Sequence, residues 1–335
     1  MEYSLSKIAK ELGISKASVS LILNGKAKEN HISAELERQV LDFCKKVNYI
    51  PNIHAQRVNK KYVKSVGLLL DQNIAKNNIN PFADEIACGI TGGVVTSASK
   101  KDYKVTIELY NENFTDDKIF NWLRSKEIDG LIYYGMELRE NLYKTLIEEN
   151  RTVVGIGIRP VAGICSVNID NENVMYSVTK SAILKGKKKF LYVNGTDCYI
   201  SSERFNGFKK AMDENNIDDY IVINCDFTEE LAEKSILEIF KTKNKFDAII
   251  CANDYMAIGA IKALKKLKIS VPCEVAVSGA DNTKIARYFV PTITTVDSMN
   301  ERLGKTAFEL FYNSIKKNET TDKIIKSKVN YRDSL

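Results

Sequence analysis

An α/β chain with a small all-α segment at its front is what this sequence predicts, and three observations carry that prediction. Residues 5–25 hold two short amphipathic stretches on either side of Gly13-Ile14. From Val66 onward, seven short apolar runs (66–70, 105–109, 130–134, 153–158, 190–193, 248–251 and 275–278) alternate with longer amphipathic stretches. The excess of positive charge is confined to the front. Of 49 Lys and Arg against 43 Asp and Glu, residues 1–64 hold 12 and 6, which leaves 37 of each sign in the remaining 271 residues.

The first stretch, 7–12, places Ile8, Ala9 and Leu12 on one helical face, with Ser6 positioned to cap its start. In the second, Ser15 is the N-cap, Val19, Ile22 and Leu23 recur at helical spacing, and Asn24-Gly25 supplies a left-handed stop. Two short helices across a tight glycine turn make a helix-turn-helix, whose second helix can enter a DNA major groove. Ser15, Lys16, Ser18 and Ser20 give that helix hydroxyls and a cation suited to phosphates and base edges. A plain helical hairpin with a serine-rich solvated face is the other reading of these residues. A third amphipathic stretch spans 33–47, after a loop at 26–32 whose charges read as solvated, and 59–65 read as a polar, basic linker.

The apolar runs are β-branched and nearly continuous, as in parallel strands buried on both faces. Seven are too many for one small doubly wound sheet. Two consecutive α/β halves, like the two lobes of periplasmic sugar-binding proteins, suit the length. Ligands of such sheets lie beyond the carboxyl ends of strands, where Asn253-Asp254 and Asp281-Asn282 stand. Asp and Asn can pair with neighbouring sugar hydroxyls, Arg204 offers a planar fork of donors, and Phe82 and Phe227 can stack on a ring. Strand-end capping is the competing role; it is assigned to Asp254, leaving Asn253, Asp281 and Arg204 as ligand contacts.

Composition removes other classes. Seven scattered cysteines form no CxxC pair, and five (Cys88, Cys165, Cys225, Cys251, Cys273) lie within or beside apolar runs, as buried free thiols would. The two histidines, His31 and His54, both fall in the basic front segment, so neither a His-based metal centre nor a Ser/His/Asp triad is expected further on. No metal or cofactor is expected. Gly155-x-Gly157 and Gly89-x-x-Gly92-Gly93 do not complete a nucleotide loop and read as helix-packing or turn glycines. With no apolar leader and no run of transmembrane length, the protein is expected in the cytoplasm, with no membrane partner.

The order of these motifs resembles the LacI/GalR family of bacterial transcription repressors. The resemblance rests on Ile8-Ala9, Gly13, Ser15, Ala17-Ser18-Val19-Ser20, Leu23-Asn24-Gly25, Tyr49 and Pro51-Asn52. It continues through Asn80-Pro81-Phe82, Val167–Asn171, Ser202–Phe208, Ala252–Gly259, Gly279–Asn282 and Pro291–Val296, essentially the whole chain. It implies a helix-turn-helix DNA-binding domain at 1–50, a hinge helix and linker at 51–65, and a periplasmic-binding-protein-like domain at 66–335 for effector binding and dimerisation. Lobe 1 would take about 66–160 and 297–318, lobe 2 about 161–296 and 319–335.

The family further implies roles. Lys16, Ala17 and Leu21 should face base edges of a palindromic double-stranded operator, with Ser15, Ser18 and Ser20 touching its backbone and Ser6, Asn24 and Asn52 also in the interface. Ala55, Arg57 and Val58 align with the short helix that meets its dimer mate in the minor groove. The effector, a sugar or sugar derivative between the lobes, should touch Asn80, Phe82, Arg159, Arg204, Phe227, Asn253 and Asp281. Three departures stand out: Leu21 where Arg is common, Val58 in place of the usual Leu wedge, and Ile158 where many members carry an acid before Arg159.

The expected function is thus a homodimeric, ligand-controlled DNA-binding repressor, not an enzyme. A sugar-binding receptor without DNA function would leave the basic helix-turn-helix unexplained. A hydrolase using Asp254 and Asp281 as paired carboxylates lacks the rest of a catalytic set.

Overall fold

The computed structural model describes residues 3–49, 62–72, 80–111, 114–242, 245–317 and 319–335. The chain forms two compact units, Met1–Val63 and Lys64–Leu335. The expected hinge contacts Asn52, Ala55, Arg57 and Val58 lie outside the described residues.

In the first unit, α1 (Leu5–Glu11) begins one turn position earlier than expected. Ser4, not Ser6, is the cap, its hydroxyl accepting from Lys7 N at 3.3 Å. The earlier start adds Leu5 to the Ile8, Ala9 and Leu12 face, so a fourth apolar side chain reaches the core. Gly13 turns the chain at φ +65°, and α2 (Lys16–Leu23) starts on Ser15, whose Oγ accepts from Ser18 N at 2.9 Å. Gly25 at φ +70° lets Lys26 N reach back to Leu21 O at 2.9 Å, the left-handed stop. The loop that follows is better anchored than its charge suggests: Ala27 is fully buried and Ile32 packs beside it. Ser33 caps α3 (Ala34–Lys46), which closes the core with Val40 and Cys44.

The second unit holds two parallel sheets. The first joins β1 (Ser65–Asp71), β2 (Lys104–Tyr110), β3 (Gly130–Tyr134), β4 (Thr152–Ile156), β5 (Cys165–Ile169) and β11 (Asp322–Ile325) in the order β11-β5-β4-β3-β1-β2. On one face lie α4 (Glu85–Ser99) and α12 (Asn300–Lys317), on the other α5 (Asp116–Arg124) and α6 (Glu140–Glu148), each over its own apolar core. The second sheet joins β6 (Phe190–Asn194), β7 (Tyr220–Asn224), β8 (Ala248–Cys251) and β9 (Ala276–Ser278) in the order β7-β6-β8-β9. Its core takes side chains from α7 (Asn171–Leu184), α8 (Tyr199–Glu214), α9 (Glu229–Lys241) and α10 (Asp254–Lys266). A short helix, α11 (Lys284–Tyr288), and an antiparallel pair, β10 (Thr295–Val296) with β12 (Val329–Asn330), complete the unit.

The lobe boundary differs from expectation at two places. Residues 161–169 and 319–325, expected in lobe 2, contain β5 and β11, which are strands of the first sheet. β5 pairs with β4 from Val154↔Cys165, and the Asp322 carboxylate accepts from Ser166 N (3.0 Å) and Ser166 Oγ (2.7 Å), which holds the edge strand against it. Ser166 and Asn168 interrupt the apolar run, which hid this strand from a hydrophobicity reading. The chain therefore crosses between lobes three times, after β5, between β10 and α12, and between β11 and β12.

Cys165, Cys225 and Cys251 are buried as expected, but Cys88 and Cys273 are exposed. Cys88 falls on the outer face of α4, because the buried face of that helix is filled by Ala87, Ile90 and Val94.

Candidate functional site

The outer face of α2 is built by default. Val19 and Ile22 point into the core, so the 3.6-residue period leaves Lys16, Ala17 and Asn24 exposed and Ser20 and Leu21 half-buried. Ser15 is exposed at the cap and shares its hydroxyl with Ser18 at 2.9 Å. Asn24 turns its amide back onto Ser20 O at 2.8 Å, so part of it is engaged in ending the helix. Ser6 lies in the first turn of α1.

In the second unit a cavity of about 1000 Å³ opens between the two sheets, at the carboxyl ends of their strands. This is the upper end of the range for small-molecule sites. At its wall, Arg204 from α8 is 5 % exposed and holds four segments together. Its Nε donates to Asn171 Oδ1 at 3.0 Å, Nη2 to Asp281 Oδ1 at 2.7 Å, and Nη1 to the carbonyl of Ala252. The Asp281 carboxylate also accepts from Ser298 Oγ at 2.6 Å, on one of the crossings between lobes. Asp281 and Asn282 both take positive φ, +108° and +53°, which turns the chain at the cavity wall. Across the opening, Lys284 N at the start of α11 donates to Glu85 Oε2 of α4 at 2.9 Å, a direct tie between the lobes.

The chain has counterparts among known proteins over its whole length. A family profile described as a periplasmic binding protein-like domain matches residues 183–335. The transcriptional regulator RegA of Clostridium saccharobutylicum is 29 % identical over 327 residues, 95 % of this chain and 94 % of that protein. The transcriptional repressor PurR of Aliivibrio salmonicida is 29 % identical over 324 residues, 93 % of this chain and 92 % of that one. In fold, the chain matches a Lac repressor dimer bound to operator and the anti-inducer ONPF with a TM-score of 0.83, at 18 % identity, over 100 % of this chain and 99 % of that one. Over nearly its whole length the chain is thus similar to helix-turn-helix transcriptional regulators, and it shares the fold of Lac repressor.

The cavity gathers five of the residues expected to meet an effector, Arg159, Arg204, Phe227, Asn253 and Asp281. Arg159 lies over the Tyr199 ring at 5.5 Å. Phe227 lies so close over Gly195 that a Cβ there would fall 2.2 Å from its ring; only glycine admits the ring at this place. Asn80 and Phe82 are not brought in. Asn80 Oδ1 accepts from Phe82 N at 3.0 Å to cap a short turn, and Phe82 stands 45 % exposed outside the cavity, which takes Ala83 and Asp84 instead.

The capping role expected of Asp254 falls to Asn253, which lines the cavity as well. Asn253, extended at φ −149°, is the cap of α10, with Oδ1 accepting from Met256 N at 2.8 Å and Nδ2 donating to Phe227 O at 3.0 Å. Asp254, expected as the cap, is fully buried. It accepts from Thr283 N (2.8 Å), Thr283 Oγ1 (2.9 Å) and Thr295 Oγ1 (2.5 Å). Sequence reasoning also missed Asp84, Tyr134, Asn168, Asn171, Tyr199, Tyr255 and Asn300 on the cavity wall. All stand at strand ends or helix starts, where polar residues read as caps; Asp84 is indeed the α4 cap, accepting from Ala87 N at 2.7 Å. Its carboxyl is nonetheless held above the usual range by burial and by the nearby Asp281 charge.

Burial, with Asp281 close by, pushes the Asp254 carboxyl up to about 7, against the pull of its Thr295 and Thr283 donors. A raised carboxyl binds its proton more tightly in the folded state than in the unfolded chain. Stability from this group is therefore greatest below about pH 4 and falls as pH rises toward about 7. Urea unfolding of the full chain between these limits should show a decline on the order of 2–4 kcal/mol that is absent in Asp254→Asn. Equal slopes in both proteins would assign the titration elsewhere.

Proposed function

We propose that this chain is a homodimeric repressor that binds a palindromic double-stranded operator through α2 and is controlled by a small molecule held in the interlobe cavity. It is a binding protein of the cytoplasm, not an enzyme. The observation that carries the DNA reading is the open face of α2, with Lys16, Ala17 and Leu21 turned away from the core in the one segment that holds all the net positive charge. RegA and PurR, similar to this chain over more than nine-tenths of its length, are transcriptional regulators, which supports the same reading. Among the described residues no helix is long and apolar enough to cross a membrane.

Control follows from the crossings. A ligand between the lobes shifts an equilibrium only if it binds one lobe arrangement better than another. The Arg204, Asp281 and Ser298 network and the Lys284 tie to Glu85 lie where such a difference would be felt.

Leu21 decides which base is read. An aliphatic side chain has no donors for guanine and offers only apolar contact, for instance with a thymine methyl, where Arg would favour guanine. Binding-site selection from random duplexes with the full chain should recover a palindrome. Leu21→Arg should change the preferred base at one position per half-site, by about 1–3 kcal/mol. Selection of no palindrome would sink the DNA reading, and an unchanged profile in the variant would remove Leu21 from the readout.

A further inference from the structure

The cavity wall has a strong charge bias. Among the described residues it carries eight carboxylates, with Asp71, Asp84, Asp226 and Asp281 set deeper and Glu137 and Glu230 at the exposed rim, against two guanidiniums. The buried guanidinium is already engaged, and only the exposed Arg159 keeps N–H donors for an anion. Arg204 is engaged by Asp281, Asn171 and Ala252, and Arg159 lies over Tyr199.

A separate observation points the same way. Asn168 is 5 % exposed and lines the cavity; its Nδ2 donates to Ile158 O at 3.0 Å, while its Oδ1 has no protein partner. The carbonyl of Ile158 fixes which end of the amide is which, so the unanswered atom is an acceptor. Asn300 Oδ1, on the same wall, is unanswered as well. Buried acceptors without partners are costly and call for a donor. The two unanswered amide oxygens ask the ligand for N–H or O–H groups, and a wall rich in carboxylates favours a positive charge over a negative one.

Resting on the reading of this cavity as the effector site, we propose that its ligand is a cation: a sugar-sized polyol bearing a protonated amine. The ammonium belongs beside Asp84 and Asp281, where Tyr134 and Tyr255 also border the cavity. All four groups line this cavity, and both phenols are raised by burial and by the charges of Asp84 and Asp281. An ammonium there would relieve the repulsion between two carboxylates and lie against two aromatic rings. The hydroxyls of the same ligand would answer Asn168 and Asn300. A sugar phosphate would meet an excess of carboxylates on this wall, and a neutral sugar brings no counter-charge to Asp84, since Arg204 is already paired with Asp281.

Titration calorimetry of the full chain with glucosamine, galactosamine and mannosamine, beside their neutral parent sugars and 6-phosphates, tests this. At least one hexosamine should bind, its neutral parent at least about tenfold more weakly, and the phosphate not at all. Asp84→Asn should weaken the hexosamine about tenfold or more while leaving the neutral parent unchanged. Failure of every hexosamine to bind, or a neutral sugar or phosphate binding as tightly, overturns the charge assignment. If the compound that binds instead is lost in Asn168→Leu, the cavity remains the effector site and only its ligand class was wrong. A compound whose affinity is unchanged by both Asp84→Asn and Asn168→Leu binds elsewhere, and the effector-site reading falls with the charge.

Discussion

Replacing Arg204 with alanine should lower the stability of the full chain by about 3–5 kcal/mol, the usual cost of leaving a buried charge without its partner. The loss is larger than that of one ion pair, because three acceptors are stranded together. Asp281 Oδ1 keeps only the Ser298 hydroxyl, while Asn171 Oδ1 and the Ala252 carbonyl lose the guanidinium that answered them. These groups stand at the start of α7, the end of β8, the segment after β9 and a crossing between lobes. Their separation should therefore blunt any response to a cleft ligand as well. Arg204→Lys cannot restore a planar fork that reaches three acceptors, so it should recover only part of the loss. Combining Arg204→Met with Asp281→Asn should cost less than the sum of the singles, since removing both charges removes the penalty of an orphan. Asn is chosen because it tolerates the positive φ of Asp281. Urea unfolding of Arg204→Ala, Arg204→Lys, Arg204→Met, Asp281→Asn and the double variant decides this. A loss below about 1 kcal/mol in Arg204→Ala would mean the pair is solvated in solution.

The contact between α4 and α12 should be nearly as sensitive, and to a single methyl group. A Cβ on Gly304 would lie 2.0 Å from Ile90 O, and one on Gly93 would lie 2.2 Å from Glu301 O. Both obstacles are backbone, so no side chain can move aside and the helices themselves must part. Gly304→Ala should cost about 3 kcal/mol or more, the upper part of the range for overpacking. Gly92 is the control, one residue from Gly93 on the exposed face of α4 with nothing within 4 Å of its Cβ position. There alanine should instead stabilise by about 0.5–1 kcal/mol through helix propensity alone. Opposite signs for neighbouring glycines, read from the same unfolding curves, are the expected result. A neutral Gly304→Ala would show that the helices sit further apart.

Local chemistry explains which features were legible beforehand. Ser15, Ser33 and Gly25 end or begin helices through hydrogen bonds within a few residues, so their neighbours in the chain suffice to place α2 and α3. Of the seven apolar runs, 130–134 and 248–251 coincide with β3 and β8, because a strand buried on both faces must be apolar at every position. β5 escaped because Ser166 and Asn168, which find partners in Asp322 and Ile158, break its apolar run, whereas β7 was legible in the apolar run Tyr220–Ile223 and was not among the seven. The paired glycines of α4 read as packing glycines, but that Gly93 touches α12 while Gly92 touches nothing could not be told from their spacing.

The cleft shows the limit most clearly. That Arg204, Asn253 and Asp281 would reach it follows from sequence order, since strand ends of an open α/β sheet gather on one side. What those residues do there is a different matter. Whether Asn253 or Asp254 caps α10 turns on the extended backbone of Asn253 and on Thr283 and Thr295, which lie 29 and 41 residues from Asp254. Whether Arg204 is open to a ligand turns on Asp281, 77 residues away. The sequence by itself determined the helix-turn-helix, its charge and the two-lobed α/β plan, all of which follow from periodicity and local capping. Only the tertiary structure decided which polar side chains answer one another across the lobes and which remain to answer a ligand, because burial and hydrogen bonding between distant segments have no local trace.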